Sequence, residues 1–357
     1  MHNPLRNPII TEDMENIYKR DYAWEELRGS AFFVSGAYGM LASYLVLYLC
    51  WLNEEHELDI KIFANGRSPE KMEARFGALC SRAYFICDYQ NLSNEITLPN
   101  KTDYIVHAAS PASPDVYTVS PVEVAEPNTI GTYQLLKASA DKDIKKFLYF
   151  SSGDVYGLMR DGSEIREEDM GITDPLDIHS CYGESKRMGE TWCSCFAKEY
   201  GVPTVAARIA HTYGPTMDIE NDPRVFASFV KCVIEGRNIE MMSDGGAMRA
   251  FCYIADATAA FMLLLLKGEP SQAYNVSNSD EFMSIAELAG ILAHLGEDRR
   301  IEVIRRNRDD NDSYIENTSN KGNRYISDRL KGLGMDFEYD TKTGFGRVIK
   351  SLEYKSE

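Results

Sequence analysis

Apolar and polar positions along this chain come in blocks whose period changes. Short, nearly continuous apolar runs at 31–35, 59–64, 83–87, 103–107, 145–150 and 204–208 are separated by longer stretches with helical spacing at 39–54, 69–78, 121–140 and 181–200. Apolar strands that alternate with helices predict a parallel sheet covered on both faces, wound with right-handed crossovers. The fold class is therefore α/β, a doubly wound parallel sheet. Beyond about residue 210 the alternation loosens. A Tyr213-Gly214-Pro215 turn and a polar stretch near 218–224 lead into helices predicted at 225–236 and 255–267, and the polar residues 305–324 read as a surface loop. The expected division is an N-terminal extension at 1–29, a nucleotide-binding domain at 30–210 and a smaller α/β substrate lobe at 211–357, whose later segments can return to the sheet.

Residues 1–28 are polar and charged and lack the pattern of a secretory leader; a short helix is expected at 22–27. The longest apolar run, 40–52, falls short of the roughly 20 residues needed to cross a bilayer, and it reads as the helix after the first strand. With 357 residues, 44% of them hydrophobic, the chain can bury a large core. Its 55 acidic against 38 basic residues give a formal charge of −17, with no basic run. That excludes binding of nucleic acid or an anionic membrane through a positive surface. An anionic ligand would have to be met by backbone amides and single arginines. Eight cysteines form no Cys-x-x-Cys and no ligand-like spacing with the six histidines, so no metal site is expected and the thiols read as reduced, in a cytoplasmic protein. Cys193-x-Cys195 reads as helix packing.

Two motifs carry chemistry. The first is Gly36-x-x-Gly39-x-x-Ala42, which directly follows an apolar strand and opens an apolar helix, as in Rossmann domains. Glycines there let the backbone approach a pyrophosphate, whose charge meets the free amides at the helix N-terminus. The second strand ends in Phe63-Ala-Asn-Gly-Arg67 with no acid for a ribose 2′-hydroxyl, and Arg67 equally suits a 2′-phosphate or open solvent. NAD is the expected cofactor and NADP stays open. Asp88, just past the third strand, either accepts from the adenine amino group or caps its own turn. The second motif is Tyr182-Gly-Glu-Ser-Lys186, downstream of Ser151-Ser152 at a strand end. On a helix Tyr182 and Lys186 stand one turn apart on one face. An ammonium beside a phenol favours the phenolate, lowering a pKa near 10 toward one that suits a base. Ser152 would hold the same substrate oxygen.

These residues resemble the extended short-chain dehydrogenase/reductases, in their NAD-dependent nucleotide-sugar epimerase/dehydratase branch, from about residue 30 onward. Within it the chain looks most like UDP-glucuronate decarboxylases. The likeness is carried by His107-Ala-Ala-Ser-Pro-Ala-Ser-Pro114, Asn128-Thr-Ile-Gly-Thr132, Cys181-Tyr-Gly-Glu-Ser-Lys186, Arg208-x-x-x-Thr-Tyr-Gly-Pro215, Asp222-x-Arg224-Val225 and Arg249-Ala-Phe-Cys-Tyr253. The resemblance implies that Gly36, Tyr38, Gly39, Met40, Arg67, Asp88, Ala108, Ala109, Ser110, Tyr182 and Lys186 meet the cofactor. It implies that Ser110, Pro111, His211, Arg224 and Arg249 meet a nucleotide sugar. Ser152, Tyr182 and Lys186 would oxidise the sugar at C4, and Asp154 and Arg249 would assist loss of C6 as carbon dioxide, with the hydride then returned and no net redox change. Arg249 alternatively holds the diphosphate.

Three departures mark the chain. Asp154 stands where the decarboxylases have a glutamate, Gly153 stands where 4,6-dehydratases have the first of two adjacent acids, and His211 stands where the branch has an asparagine. Dehydration is thereby disfavoured, while a 4-epimerase, using the same three residues, is not excluded. A non-catalytic cofactor-binding protein would be a different class, and it would have no need of Ser152, Tyr182 and Lys186. The branch also implies a homodimer, through a four-helix bundle built from the helices near 121–140 and 181–200.

Overall fold

Seven parallel strands form the spine: β1 (Ala31–Ser35), β2 (Lys61–Asn65), β3 (Phe85–Asp88), β4 (Tyr104–His107), β5 (Lys146–Ser152), β6 (Thr204–Ile209) and β7 (Gln272–Val276). Across the sheet they run 3-2-1-4-5-6-7, with every neighbouring pair parallel. The chain reverses its direction of travel between β1 and β4, and ligands of such sheets bind in the crevice at the C-terminal strand ends there. Gly36 leaves β1 at that crevice and Ser152 ends β5 beside it. The computed structural model describes residues 2–112, 114–160, 162–296, 299–306 and 322–354.

The central strands β1, β4 and β5 are buried along their whole length, which is why they read as unbroken apolar runs. Most predicted elements appear within a few residues of their expected bounds, and the helix Cys181–Tyr200 matches them, closed by Gly201 in the left-handed conformation. The helix expected at 121–140 is present but interrupted. It runs as Pro121–Glu126 and Thr132–Ser139 with a wider π turn, Pro127–Gly131, between them. Pro127 has no N–H to donate, so the turn widens around it.

The first 28 residues do more than extend the chain. Besides the short turn Trp24–Leu27 they form a helix, Pro8–Tyr18, whose Ile10, Met14 and Ile17 are buried. It packs on the helices Met40–His56, Ile254–Lys267 and Thr341–Glu353. Met40–His56 is thus covered on its outer side as well as by the sheet, and every residue from Ala42 to Leu52 is buried. Asp13, fully buried, fastens this layer: its carboxylate accepts from the Tyr44 and Tyr253 hydroxyls at 2.5 Å each and pairs with Arg347 at 2.6 Å.

The expected loop at 305–324 begins and ends in strand pairs. Val303–Arg305 pairs with Ile239–Met241, and Arg324–Tyr325 pairs with Glu164–Ile165; residues 307–321, the body of that expectation, lie outside the described residues. Among the described residues no helix is long and apolar enough to cross a membrane.

Candidate active site

The glycine turn makes a cradle. Gly36 has φ +65°, and a Cβ there would stand 2.6 Å from the Ala109 Cα and 2.8 Å from its nitrogen, so only glycine lets the β1 and β4 loops close on each other. Gly39 caps the Met40–His56 helix without a side-chain hydrogen bond and is exposed, which leaves the first amides of a buried helix free for an anion. The facing loop is set by a short relay. The backbone N–H groups of Ala108 and Ala109 donate to the Ser35 hydroxyl (3.1 and 3.3 Å), which donates to His107 Nδ1 at 2.7 Å. His107 Nε2 faces the Pro127 carbonyl at 3.1 Å, so that nitrogen carries the proton. Burial pushes this histidine down to about 3, and it works as a neutral strut. Ser110 follows, its hydroxyl sealed from solvent and without a hydrogen-bond partner among the described residues, with Pro111 half-buried beside it.

The ends of β2 and β3, where the adenosine half of a cofactor is expected, are occupied by contacts of their own. The Asp88 carboxylate accepts from the Gln90 backbone (3.0 Å) and side chain (2.8 Å), so it caps its own turn. Asn65 at the end of β2 donates to the Gln90 carbonyl at 3.0 Å. The Tyr38 ring lies over Gly66, where a Cβ would come 2.4 Å from its Cε1. Arg67 is exposed and makes no hydrogen bond or ion pair with the described residues.

The second group gathers where β5 ends. Ser152 Oγ accepts from the Asp154 N–H at 3.2 Å and donates to the Asp154 carboxylate at 3.2 Å. The Cys181–Tyr200 helix brings Tyr182 and Lys186 over this turn. A bidentate Arg208–Glu190 pair (2.9 and 2.7 Å), joined by the Ser151 hydroxyl at 2.5 Å, locks that helix to β5 and β6. Lys186 Nζ donates to the Phe150 carbonyl at 2.6 Å and lies 5.7 Å from the Tyr182 ring centre.

The electrostatics correct the simple picture of a lysine activating a tyrosine. Burial pushes Lys186 itself down to about 7, against the pull of Glu190 and Asp154. Tyr182 is raised, first by burial and then by the Asp154 carboxylate, with the Ser152 hydroxyl opposing. The expectation weighed the ammonium but not the cost of burying the phenol, and here burial wins. Asp154 lines an open cleft, reachable by solvent yet enclosed by protein. Burial raises it, while Ser152, Arg249 and Lys186 oppose.

Opposite lie the expected substrate residues. Arg249 sits on the strand Met248–Ala250 and donates to the Met248 carbonyl at 2.7 Å. His211 adopts φ +44°, and burial together with Arg249 and Arg224 pushes it down to about 3, so the imidazole is neutral between two cations. Arg224 pairs with Asp222 at 2.5 Å and bonds the Thr212 carbonyl at 3.1 Å. The structure thus brings Ser152, Asp154, Tyr182, Lys186, Arg249 and His211 together, and leaves Asp88 at the end of β3 and Arg67 just past β2, without a hydrogen bond or ion pair to that group. Two site residues escaped the sequence reading. Tyr117 stacks on Tyr182 with ring centres 5.0 Å apart and planes 12° apart, and Tyr325 enters from the C-terminal segment. Tyr117 lies only three residues beyond the quoted loop, but Tyr325 had no local signal.

The model of the NAD dependent epimerase/dehydratase family matches residues 32–277. The chain belongs to that family. UDP-glucuronic acid decarboxylase 6 of Arabidopsis thaliana is 30% identical over 296 residues, covering 80% of this chain and 82% of the relative. UDP-glucuronic acid decarboxylase 1 of Xenopus tropicalis is 33% identical over 214 residues, 59% of this chain and 49% of the relative. Among solved structures, UDP-glucose 4-epimerase of Thermotoga maritima with UDP-glucose superposes with a TM-score of 0.73 at 20% identity, covering 90% of this chain and 98% of that one. UDP-glucuronic acid 4-epimerase of Bacillus cereus in complex with NAD gives 0.72 at 20% identity, covering 90% and 96%. These two likenesses carry the fold.

Proposed function

We propose that this family member is an NAD-dependent nucleotide-sugar enzyme that decarboxylates UDP-glucuronate through a transient 4-keto sugar. The observation that carries the reading is the convergence of Ser152, Asp154, Tyr182, Lys186 and Arg249 on one cleft beside the Gly36–Gly39 cradle, in a chain whose curated relatives are UDP-glucuronic acid decarboxylases. Gly36, Tyr38, Gly39 and Met40 hold the cofactor pyrophosphate at the helix N-terminus, with Ala108, Ala109 and Ser110 facing it; Arg67 and Asp88 border the adenosine end. When bound, NAD supplies the hydride acceptor and, in its oxidised form, a positive charge. Lys186, held by the Phe150 carbonyl 5.7 Å from the Tyr182 ring centre, is the cation that this chain sets beside the buried phenol to favour its phenolate.

Tyr182 then accepts the proton of the sugar C4 hydroxyl, and Ser152 holds the same oxygen. Arg249 and Arg224, with neutral His211 between them, bind the diphosphate or the carboxylate, and Ser110 and Pro111 border the sugar. Asp154 orients the C6 carboxyl for loss as carbon dioxide. Residues 30–210 supply the cofactor side and 211–357 much of the substrate side.

Proton NMR and mass spectrometry of the protein with UDP-glucuronate and NAD test the reading. Loss of carbon dioxide supports it, whereas an unchanged mass with galacturonate signals means 4-epimerase instead. Asp154→Asn should abolish decarboxylation yet spare nicotinamide reduction; equal loss of both would sink the role given to Asp154.

The protein acts as a homodimer in this reading, paired through the helices at 121–139 and 181–200, which leave Val122, Ile130 and Tyr200 exposed. Light scattering that finds a monomer at micromolar concentration would refute this. All eight cysteines are unpaired, which fits the cytoplasm.

A further inference from the structure

Position 153 is a glycine next to the site's carboxylate, and the space its side chain would fill is already taken. A Cβ on Gly153 would meet Tyr325 at 2.8 Å from Cζ and 3.0 Å from the hydroxyl oxygen. Tyr325 therefore brings a phenol, from a segment 172 residues further along the chain, to the place where a short polar side chain at 153 would project. Its charged surroundings are Asp154 and Arg249, the two residues assigned to the C6 carboxyl.

The ring is held firmly. Arg324–Tyr325 pairs with Glu164–Ile165, the N–H of Ile326 donates to the Ile165 carbonyl at 2.8 Å, and the Ser327 hydroxyl donates to the Ser277 carbonyl at 2.6 Å. The ring also packs on Tyr156, with centres 5.7 Å apart. Yet the Tyr325 hydroxyl makes no hydrogen bond with the described residues, and it is absent from the sealed, unpartnered polar atoms of the interior. A buried tyrosine ordinarily finds a partner for its O–H, so a rigidly placed one left free beside a cleft is available to a ligand.

Resting on the decarboxylase reading, we propose that Tyr325 is a catalytic residue, the general acid that protonates the sugar at C5. In the 4-keto intermediate the C5–C6 bond breaks, carbon dioxide leaves, and the bonding pair forms the C4–C5 enolate. The enolate then takes the Tyr325 proton at C5, and the resulting phenolate recovers a proton from water in the cleft. Burial and the Asp154 charge keep the phenol protonated at neutral pH, as a donor must be.

Tyr325→Phe keeps the ring on Gly153 and Tyr156 and removes only the hydroxyl. Wild-type and variant are given UDP-glucuronate and NAD in heavy water. Wild-type should place one deuterium at C5 in a single configuration. The variant should form UDP-pentose about 100-fold more slowly, the lower end for a general acid, with deuterium at C5 in both configurations, while the initial rise of reduced nicotinamide stays within about twofold. Unchanged turnover with a single configuration in the variant overturns the role of Tyr325 and leaves the decarboxylase reading intact. Wild-type protein that releases no carbon dioxide overturns that reading, and the role of Tyr325 with it.

Discussion

Replacing Gly36 with alanine separates two costs that a glycine turn conceals. The chain has a built-in control: Gly29 has φ +66°, almost the same as Gly36 at +65°, but a Cβ on Gly29 meets nothing within 4 Å. Both substitutions place an L side chain in the left-handed region, at about 1–2 kcal/mol. Only Gly36→Ala also drives a methyl to 2.6 Å from the Ala109 Cα and 3.1 Å from the Ala108 carbonyl carbon. Carbon atoms prefer about 3.5–4.0 Å, so the Ala108–Ala109 backbone must retreat by about 1 Å. Overpacking of this kind adds about 1–3 kcal/mol. Urea unfolding should therefore show about 1–2 kcal/mol lost in Gly29→Ala and about 2–5 kcal/mol in Gly36→Ala. The backbone that retreats is the one assigned to the cofactor, so calorimetric titration should give an NAD affinity at least about tenfold weaker for Gly36→Ala, a cost of about 1.4 kcal/mol, and unchanged for Gly29→Ala. Equal NAD affinities for the two variants would show that this turn does not hold the cofactor.

Other outcomes follow from buried charge. Lys186 has a folded value of about 7 against about 10.4 unfolded, so between those values the unfolded chain binds the extra proton and this group makes stability rise with pH, by about 1.4 kcal/mol per unit. Lys186→Met should lose that slope. Its urea midpoint relative to wild-type should fall as pH goes from 7.5 to 9.5, and parallel profiles would refute the burial argument. Asp13→Ala removes the acceptor of two buried tyrosine hydroxyls, those of Tyr44 and Tyr253, while Arg347 keeps Glu12 and the Ile9 carbonyl; at about 1–3 kcal/mol for each orphaned hydroxyl it should cost about 2–6 kcal/mol by chemical denaturation; a loss below about 1 kcal/mol would mean the N-terminal helix is held by its apolar face alone. Tyr182→Phe should bind NAD as wild-type does in a fluorescence titration while turnover with UDP-glucuronate stops. Retained turnover would remove Tyr182 from the chemistry.

Much of this was legible in the chain. Parallel strands inside a two-sided sheet are apolar throughout, so β1, β4 and β5 announced themselves, and Gly201 marked the end of the helix that carries Tyr182 and Lys186. Even the N-terminal helix left a trace: Ile10, Met14 and Ile17 follow helical spacing, though among enough charges to pass for a polar tail. A further clue was the Met40–His56 helix, apolar on all sides and so in need of cover on both.

What local pattern determined was the order of elements and the residue types at each strand end, because period and turn chemistry act over a few neighbours. Tertiary structure alone decided the rest. The protonation of Tyr182 and Lys186 depends on how deeply a helix is pressed into the protein, and desolvation is a property of everything around a group. The arrival of Tyr325 against Gly153 depends on a strand pair between residues 324–325 and 164–165, and no spacing in the chain encodes which distant segment will fill the space that a glycine leaves open.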